Sequence, residues 1–343
     1  MRSIPTIFAI ISFLSIITAA QTPVELHGNL RVEGNKIVNQ NGSPTQLCGM
    51  SFFWSQWKGQ YYNKRVVDWL VDDWKVTVVR AAMGVKLVES ETGYLYDGTE
   101  LSKVKTVVDA AIKKGIYVII DWHDHYAFKN VKESKLFFEK MARMYGNYPN
   151  VIYEIFNEPM QVSWSEVVKP YSETIVEAIR AIDPDNLILI GTPSWCQNVN
   201  EAADDPLKGN NLAYSFHFYA ATHKDDIREK ALYAMGKGIP LFVSEFGTCL
   251  ASGNGILDSA ESEIWFSFMD EHNLGWCNWS IGDKNETASA LVPGARYYGQ
   301  WKLSDLTPSG RIVRSKLRQK AGIKDVEVPV KPKKKSWLKV RSL

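Results

Sequence analysis

The chain has 343 residues, about twice the length of an average domain but still within the range of a single barrel-type enzyme. With 45% hydrophobic and 23% charged residues it can bury a sizeable core, which excludes a disordered or fibrous protein, and four cysteines are too few for a scaffold made mainly of disulfides. Forty basic and 38 acidic residues leave a formal charge of +2, so there is no general basic field and no nucleic-acid partner is expected.

Residues 1–20 combine Arg2, an interrupted apolar run from Ile4 to Ile17 and the small residues Thr18, Ala19 and Ala20. That pattern predicts a secretory signal peptide, because the apolar run falls short of the roughly 20 residues of a spanning helix. No later stretch is apolar enough to span, so a secreted, extracellular protein with no membrane segment is expected. Next, residues 26–42 contain two short alternating runs punctuated by Gly34-Asn35 and Asn41-Gly42, which predicts a short N-terminal β-hairpin.

From residue 45 onward, β-rich apolar runs alternate with amphipathic stretches. The strand candidates are residues 45–51, 76–82, 116–123, 151–158, 187–191, 212–219, 240–247 and 274–280. Helical candidates lie around 63–74, 102–114, 132–146, 164–182, 225–236, 259–272 and 308–320, with a short, poorly periodic crossover near 198–204. Eight such strands in about 240 residues predict an α/β fold of the (β/α)8 TIM-barrel type. A doubly wound open sheet is the alternative, and no G-x-G-x-x-G or P-loop pattern follows a strand to support it. Residues 324–343 carry seven basic and two acidic residues without core periodicity, the texture of a flexible, solvated tail. The expected organisation is therefore a signal peptide over 1–20, a barrel domain over 21–323 and a basic tail over 324–343.

Secretion permits disulfides, and Cys48, Cys196, Cys249 and Cys277 allow three pairings. Cys48 and Cys277 lie in apolar strand-like segments, where a buried free thiol is the ordinary state, while a bridge between Cys196 and Cys249 is compatible with their positions after strands.

In a barrel, active-site groups project from the C-terminal ends of the strands. The second candidate strand ends near Arg80, the third at Asp121-Trp122-His123, the fourth at Asn157-Glu158-Pro159, the sixth at His217-Phe218-Tyr219, the seventh at Glu245-Phe246-Gly247 and the eighth at Trp279. Glu158 and Glu245 are thereby expected to face each other across the mouth. Paired carboxylates are what glycoside hydrolysis needs, one to protonate the leaving oxygen and one to attack or to activate water. Arg80 and Tyr219 are suited to keep one carboxylate ionised, with a more apolar surround keeping the other protonated. Asn157 is suited to grip a sugar hydroxyl, and His123 and His217 to hydrogen-bond within the site. Of the twelve tryptophans, Trp57, Trp195 and Trp279 are the candidates for stacking on a sugar ring, whereas Trp69, Trp74 and Trp265 read as packing residues.

Taken together, VIYEIFNEP with the preceding Arg80, IDWH, HFY, VSEFG and WSIGDKNE resemble glycoside hydrolase family five, and within it the secreted endo-β-1,4-glucanases of bacteria and plant-parasitic nematodes. The resemblance spans about residues 25–320. It implies a retaining double displacement with Glu158 as acid/base and Glu245 as nucleophile, supported by Arg80, His123, Asn157, His217 and Tyr219. It further implies that Trp279 platforms the sugar beside the cut, that Lys284 and Glu286 bind the next sugar on the glycone side, and that Trp57 and Trp195 are outer stacking positions. No cofactor and no metal are implied, and the expected partner is a β-glucan polysaccharide acted on by a monomer. One departure stands out: related bacterial enzymes read like G-M-S-x-H-G-L-Q-W after the first strand, whereas this chain reads GMSFFWSQW and places Phe53 at the His position.

Three other readings bear on the same residues. Mannan or xylan would need only one or two different hydroxyl contacts. A metal-dependent hydrolase would draw ligands from His123, His125, His217 and Glu245. A noncatalytic sugar-binding barrel would keep the tryptophan cleft without the chemistry.

Overall fold

The computed structural model describes residues 21–86 and 91–323; the expected signal peptide and basic tail lie outside the described residues. Eight parallel strands close into a barrel, each hydrogen-bonded to the next in chain order and the last to the first. They are β3 (Cys48–Phe52), β4 (Val78–Gly84), β5 (Tyr117–His123), β6 (Val151–Glu154), β7 (Ile188–Ile190), β8 (Leu212–Tyr219), β9 (Leu241–Gly247) and β10 (Trp276–Ile281). Each falls on one of the eight expected runs, so the barrel replaces the open sheet as the observed architecture. Among the described residues no helix is long and apolar enough to cross a membrane.

The helices lie where the periodicity puts them, with two differences at their ends. The segments expected over 63–74 and 164–182 each combine an α-helix, Lys64–Trp69 and Lys169–Arg180, with a wide π turn, Leu70–Trp74 and Trp164–Val168. The helix Val131–Tyr145 shows the packing logic. Its Phe137, Phe138 and Met141 are fully buried, with the two phenylalanine rings against Trp122 of β5 and Phe138 also against Tyr153 of β6. Each such side chain contributes about 1.5–3 kcal/mol when removed from water.

The expected hairpin is present but shorter than 26–42: β1 (Arg31–Glu33) pairs antiparallel with β2 (Lys36–Val38) around Gly34 and Asn35. Before it lies a short helix, Pro23–His27, that the sequence reading omitted although Thr22 and Glu25 carry its capping box. Leu30 and Ile37 from this region pack with Leu47, Val78, Tyr117 and Ile119, and so close the N-terminal end of the barrel with an apolar plug.

The fourth barrel strand differs from expectation in a way that matters for the site. Residues 151–158 read as one strand, but β6 ends at Glu154. Its partner β7 is only three residues long, and after Ile155 has bonded to Leu189, the next amide to find a strand partner, Asn157 N, turns to the carbonyl of Trp122. Gly191 permits that bend, because a Cβ there would meet the Phe156 carbonyl oxygen at 2.1 Å. Glu158 is therefore carried on a turn beyond the strand, not on the strand itself.

Candidate active site

The site is organised around Arg80, which points into the barrel from the middle of β4 and is fully buried. Its Nε donates to Glu154 Oε2 at 2.6 Å, Nη1 to Glu245 Oε2 at 3.0 Å, and Nη2 to Asn157 Oδ1 at 2.6 Å. Nη2 also lies 2.9 Å from Asp121 Oδ2. A buried guanidinium is tolerated only because each edge of its planar fork meets an anion or a carbonyl oxygen.

Glu245, on β9 directly opposite His217 of β8, receives a second donor from the Tyr219 hydroxyl, 2.8 Å from Oε1. Arg80 and Tyr219 thus converge on one carboxylate, as expected. The other does not have an apolar surround: Glu158 Oε1 lies 3.0 Å from His217 Nδ1, and its Oε2 lies 3.7 Å from His125 Nδ1. A carboxylate oxygen of Glu158, a ring nitrogen of His217 and a carboxylate oxygen of Glu245 all lie within 4.8 Å of one another.

These contacts set the titration of the site. Burial and the charge of Glu158 raise the pKa of Glu245 above the ordinary carboxylate value, against Arg80, His217 and Tyr219. Burial also pushes Glu158 upward, but the hydrogen bond and charge of His217 outweigh it and hold Glu158 down. Like charges this close cannot both ionise cheaply, so the upper step belongs to the pair and keeps one proton on it over part of the pH range. Burial opposes a charge on His217, yet the Glu154 carboxylate 3.8 Å from Nε2 and the hydrogen-bonded Glu158 carboxylate 3.0 Å from Nδ1 raise it to about 9. Burial and the charge of Arg80 push His123 well below its ordinary value, so it is neutral. Asn157 Nδ2 is buried and has no partner, leaving it a donor for an incoming hydroxyl.

The remaining expected residues fall on two sides. A cavity of about 640 Å³ is lined by Glu158, His217, Tyr219 and Glu245 together with His125, Trp195, Gln197 and His223. Trp195 reaches it from a left-handed turn in which Ser194, Trp195 and Cys196 have φ of 57°, 56° and 58°. Backbone bonds from Ser194 and Trp195 to the carbonyls of Met160 and Pro159 tie that turn to the Glu158 loop. Trp57, Trp279, Lys284 and Glu286 do not line this cavity. They gather around Phe53: its ring lies 5.2 Å from Trp279 and 6.2 Å from Trp57, and Lys284 Nζ sits 5.4 Å from its centroid while pairing with Glu286 at 2.6 Å. Trp279 is 5% exposed and stacks on His123.

Two expectations are corrected. The ligand set His123, His125, His217 and Glu245 does not converge as a whole: among the described residues His217 and Glu245 meet Glu158, and neither His123 nor His125 joins that group. Cys196 and Cys249 are not bridged: all four cysteines are free and buried, and the Cys196 thiol donates to the Asn157 carbonyl at 3.0 Å. Sequence reasoning missed Glu154, Ser215 and Ser244, which line the barrel beneath the two carboxylates. The available signal was a charged residue inside the apolar run VIYEIF.

An eight-stranded barrel with two facing carboxylates, one gripped by Arg and Tyr and the other by His, has the parts of a two-carboxylate glycosidase site. Consistent with this, the family model described as Cellulase (glycosyl hydrolase family 5) matches residues 38–285, and the chain belongs to that family. It is 48% identical to Endoglucanase A of Evansella cellulosilytica over 82% of this chain, and 49% identical to Endoglucanase Z of Dickeya dadantii over 83%. The chain spans 58% and 65% of the lengths of those two relatives. A solved structure from Cytophaga hutchinsonii superposes with a TM-score of 0.86 at 54% identity, covering 88% of this chain and 98% of its own.

Proposed function

We propose that the protein is an endo-β-1,4-glucanase that cleaves internal bonds of cellulose or related β-glucans outside the cell, as a monomer whose catalytic domain spans residues 21–323. The observation that carries the reading is the approach of Glu158 and Glu245 within 4.8 Å under different donors. That spacing is close to the ~5 Å of direct carboxylate attack and short of the ~6.5–9.5 Å that accommodates an activated water. The names of the relatives, both endoglucanases, support a glucan as substrate.

In this reading Glu245 is the nucleophile, so the proton that the pair shares, which the pocket's electrostatics favour on Glu245, stands on Glu158 once a bound sugar separates the two. The Glu245 oxygen bonds to the anomeric carbon while the glycosidic C–O bond breaks, and the carboxyl proton of Glu158 passes to the leaving oxygen. Glu158, now a carboxylate, takes a proton from water as the water oxygen displaces Glu245, so configuration is retained. Arg80 and Tyr219 fix the attacking carboxylate, Asn157 Nδ2 is free for a sugar hydroxyl, and neutral His123 stacks on Trp279. Trp279, Lys284 and Glu286 hold the glycone side, with Trp57 and Trp195 at the outer positions. Phe53 supplies the packing surface for Trp279 and Lys284.

The test is reducing-end release from carboxymethyl cellulose, mannan and xylan by the protein and its Glu158→Gln and Glu245→Gln variants, with and without chelator. Glucan cleavage that resists the chelator and falls by about 10²-fold or more in each variant is expected. Dominant mannan or xylan cleavage replaces the substrate, full activity in either variant removes the two-carboxylate mechanism, and chelator sensitivity removes the metal-free one.

A further inference from the structure

Beneath the two proposed catalytic carboxylates lies a continuous buried chain of hydrogen bonds: Glu158 Oε1 to His217 Nδ1 at 3.0 Å, His217 Nε2 to Ser244 Oγ at 2.8 Å, Ser244 Oγ to Glu154 Oε1 at 2.5 Å, Arg80 Nε to Glu154 Oε2 at 2.6 Å, and Arg80 Nη1 to Glu245 Oε2 at 3.0 Å. Hydrogen counting fixes the directions along it. Glu154 accepts from Arg80, Ser215 and Ser244, and as a carboxylate it has nothing to donate. Burial would raise it, but the charge and hydrogen bond of Arg80 and the nearby charge of His217 hold it at about 2, so it is ionised at neutral pH. Ser244 owns a single hydroxyl hydrogen, and the 2.5 Å contact with the Glu154 carboxylate takes it in preference to Ser215 Oγ at 3.1 Å, whose own hydrogen also goes to Glu154. The Ser244 oxygen must therefore accept from His217, and Nε2 of His217 must carry a hydrogen.

We propose that Glu154, acting through Ser244, is a positioning residue that holds His217 as an imidazolium facing Glu158, and thereby sets the acid strength of Glu158. This rests on Glu158 being the acid/base of the proposed function. With Nε2–H anchored on Ser244, Nδ1–H donates to one oxygen of Glu158 and leaves the other to carry the proton for the leaving sugar. When that proton departs, the new carboxylate is already paired with a cation. No proton leaves His217 in this step; the one transferred comes from Glu158 and returns there from water in the second displacement. The rise of His217 to about 9 agrees with the same arrangement. The groups facing His217 are Glu154, Glu158 and Glu245, with His123 also within its field, while His125 and His223 face Glu158 from the cavity side.

Ser244→Ala is the discriminating variant, since it cuts the chain while leaving the Arg80–Glu154 pair intact. Its kcat/KM is measured on a series of aryl β-cellobiosides, because a 2,4-dinitrophenyl group leaves without acid help whereas a phenyl group needs it. The expected result is a loss of about 10-fold or more on the phenyl substrate and under about 2-fold on the dinitrophenyl one. The basic limb of the pH profile moves to higher pH, because a carboxyl without its neighbouring cation is a weaker acid. Glu154→Gln gives the same selectivity, with a uniform loss added through Arg80. Nitrogen NMR of His217 gives a readout independent of turnover, in which both ring nitrogens are protonated at neutral pH. Equal losses across the series, an unmoved basic limb or a neutral His217 overturns the proposal. Glu158→Gln in the same series separates the two ideas: without leaving-group selectivity in that variant, the assignment of Glu158 itself falls.

Discussion

Two layers of the barrel interior, one pleat apart on the same strands, have opposite chemistry. The lower layer contains Val78, Ile119, Ile152, Leu189, Ala213, Phe242 and Cys277, packed as one apolar cluster. Two residues further along each strand stand Arg80, Asp121, Glu154, Gly191, Ser215, Ser244 and Trp279, all buried. Because side chains alternate along a strand, a step of two keeps the side chain inside the barrel and moves it one layer toward the C-terminal mouth. The lower layer holds the strands together through loss of water contact. The upper layer is held by charge compensation around one guanidinium. Stability and chemistry are therefore separated by about 7 Å along every strand.

The largest effect that would break this contrast comes from Arg80→Met. It strands Asp121, Glu154 and Glu245 without their common cation, and an uncompensated buried charge costs about 3–5 kcal/mol. Urea unfolding should show that loss together with collapse of glucan hydrolysis; a stability change under about 1 kcal/mol would mean that the upper layer is not held by charge. In the lower layer, Phe242→Ala should cost about 3 kcal/mol by leaving a cavity, with kcat of the folded fraction unchanged. A large fall in kcat for that variant would show that the layers are mechanically coupled.

The layers also differ in pH response, because the one thiol of the apolar layer, Cys277, is pushed well above its ordinary value by burial and stays neutral. His217 is raised in the folded state to about 9, so its contribution is fully present below its ordinary value of 6.5 and is lost as pH rises through about 9. Glu154 is lowered to about 2, so its contribution is present above 4.5 and is lost as pH falls through about 2. Unfolding free energy followed against pH should fall on both flanks in the wild type. In Glu154→Gln the acid flank should flatten, and an unchanged acid flank would assign acid unfolding to other carboxylates.

The eight strands were legible because each is a short apolar run between helical periodicities, and Arg80, His123, His217 and Glu245 because each lies at the mouthward part of such a run. Glu154 was passed over for the same reason: within VIYEIFNE attention goes to the terminal Asn157 and Glu158, although a charge inside a buried strand demands a partner. The bend that takes Glu158 off the strand depends on the length of β7 and on the Gly191 contact, which are facts about a neighbour and not about local pattern. The left-handed turn of Trp195 was equally invisible, since none of Ser194, Trp195 and Cys196 favours that conformation and it is stabilised by bonds to residues distant in sequence, the carbonyls of Asn157, Pro159 and Met160. The histidine beside Glu158 was visible as a residue but not as its cation, because its state is set by Ser244 and Glu154 on two other strands.

The smallest expected effect lies outside both layers, at the rim. Trp57 is 43% exposed on a short helix with its ring against Trp54 and Phe53, whereas Trp279 is buried against His123. An exposed ring that stacks on a distant sugar unit contributes about 1 kcal/mol, to ground state and transition state alike. Trp57→Ala should therefore raise KM on long glucans about five-fold, leave kcat unchanged and have no effect on a short aryl cellobioside that does not reach it. Trp279→Ala should instead lower kcat on both, because its loss also frees the His123 ring beneath the sugar at the cut. A fall in kcat for Trp57→Ala would place that ring in the catalytic layer and move the boundary between rim and site inward.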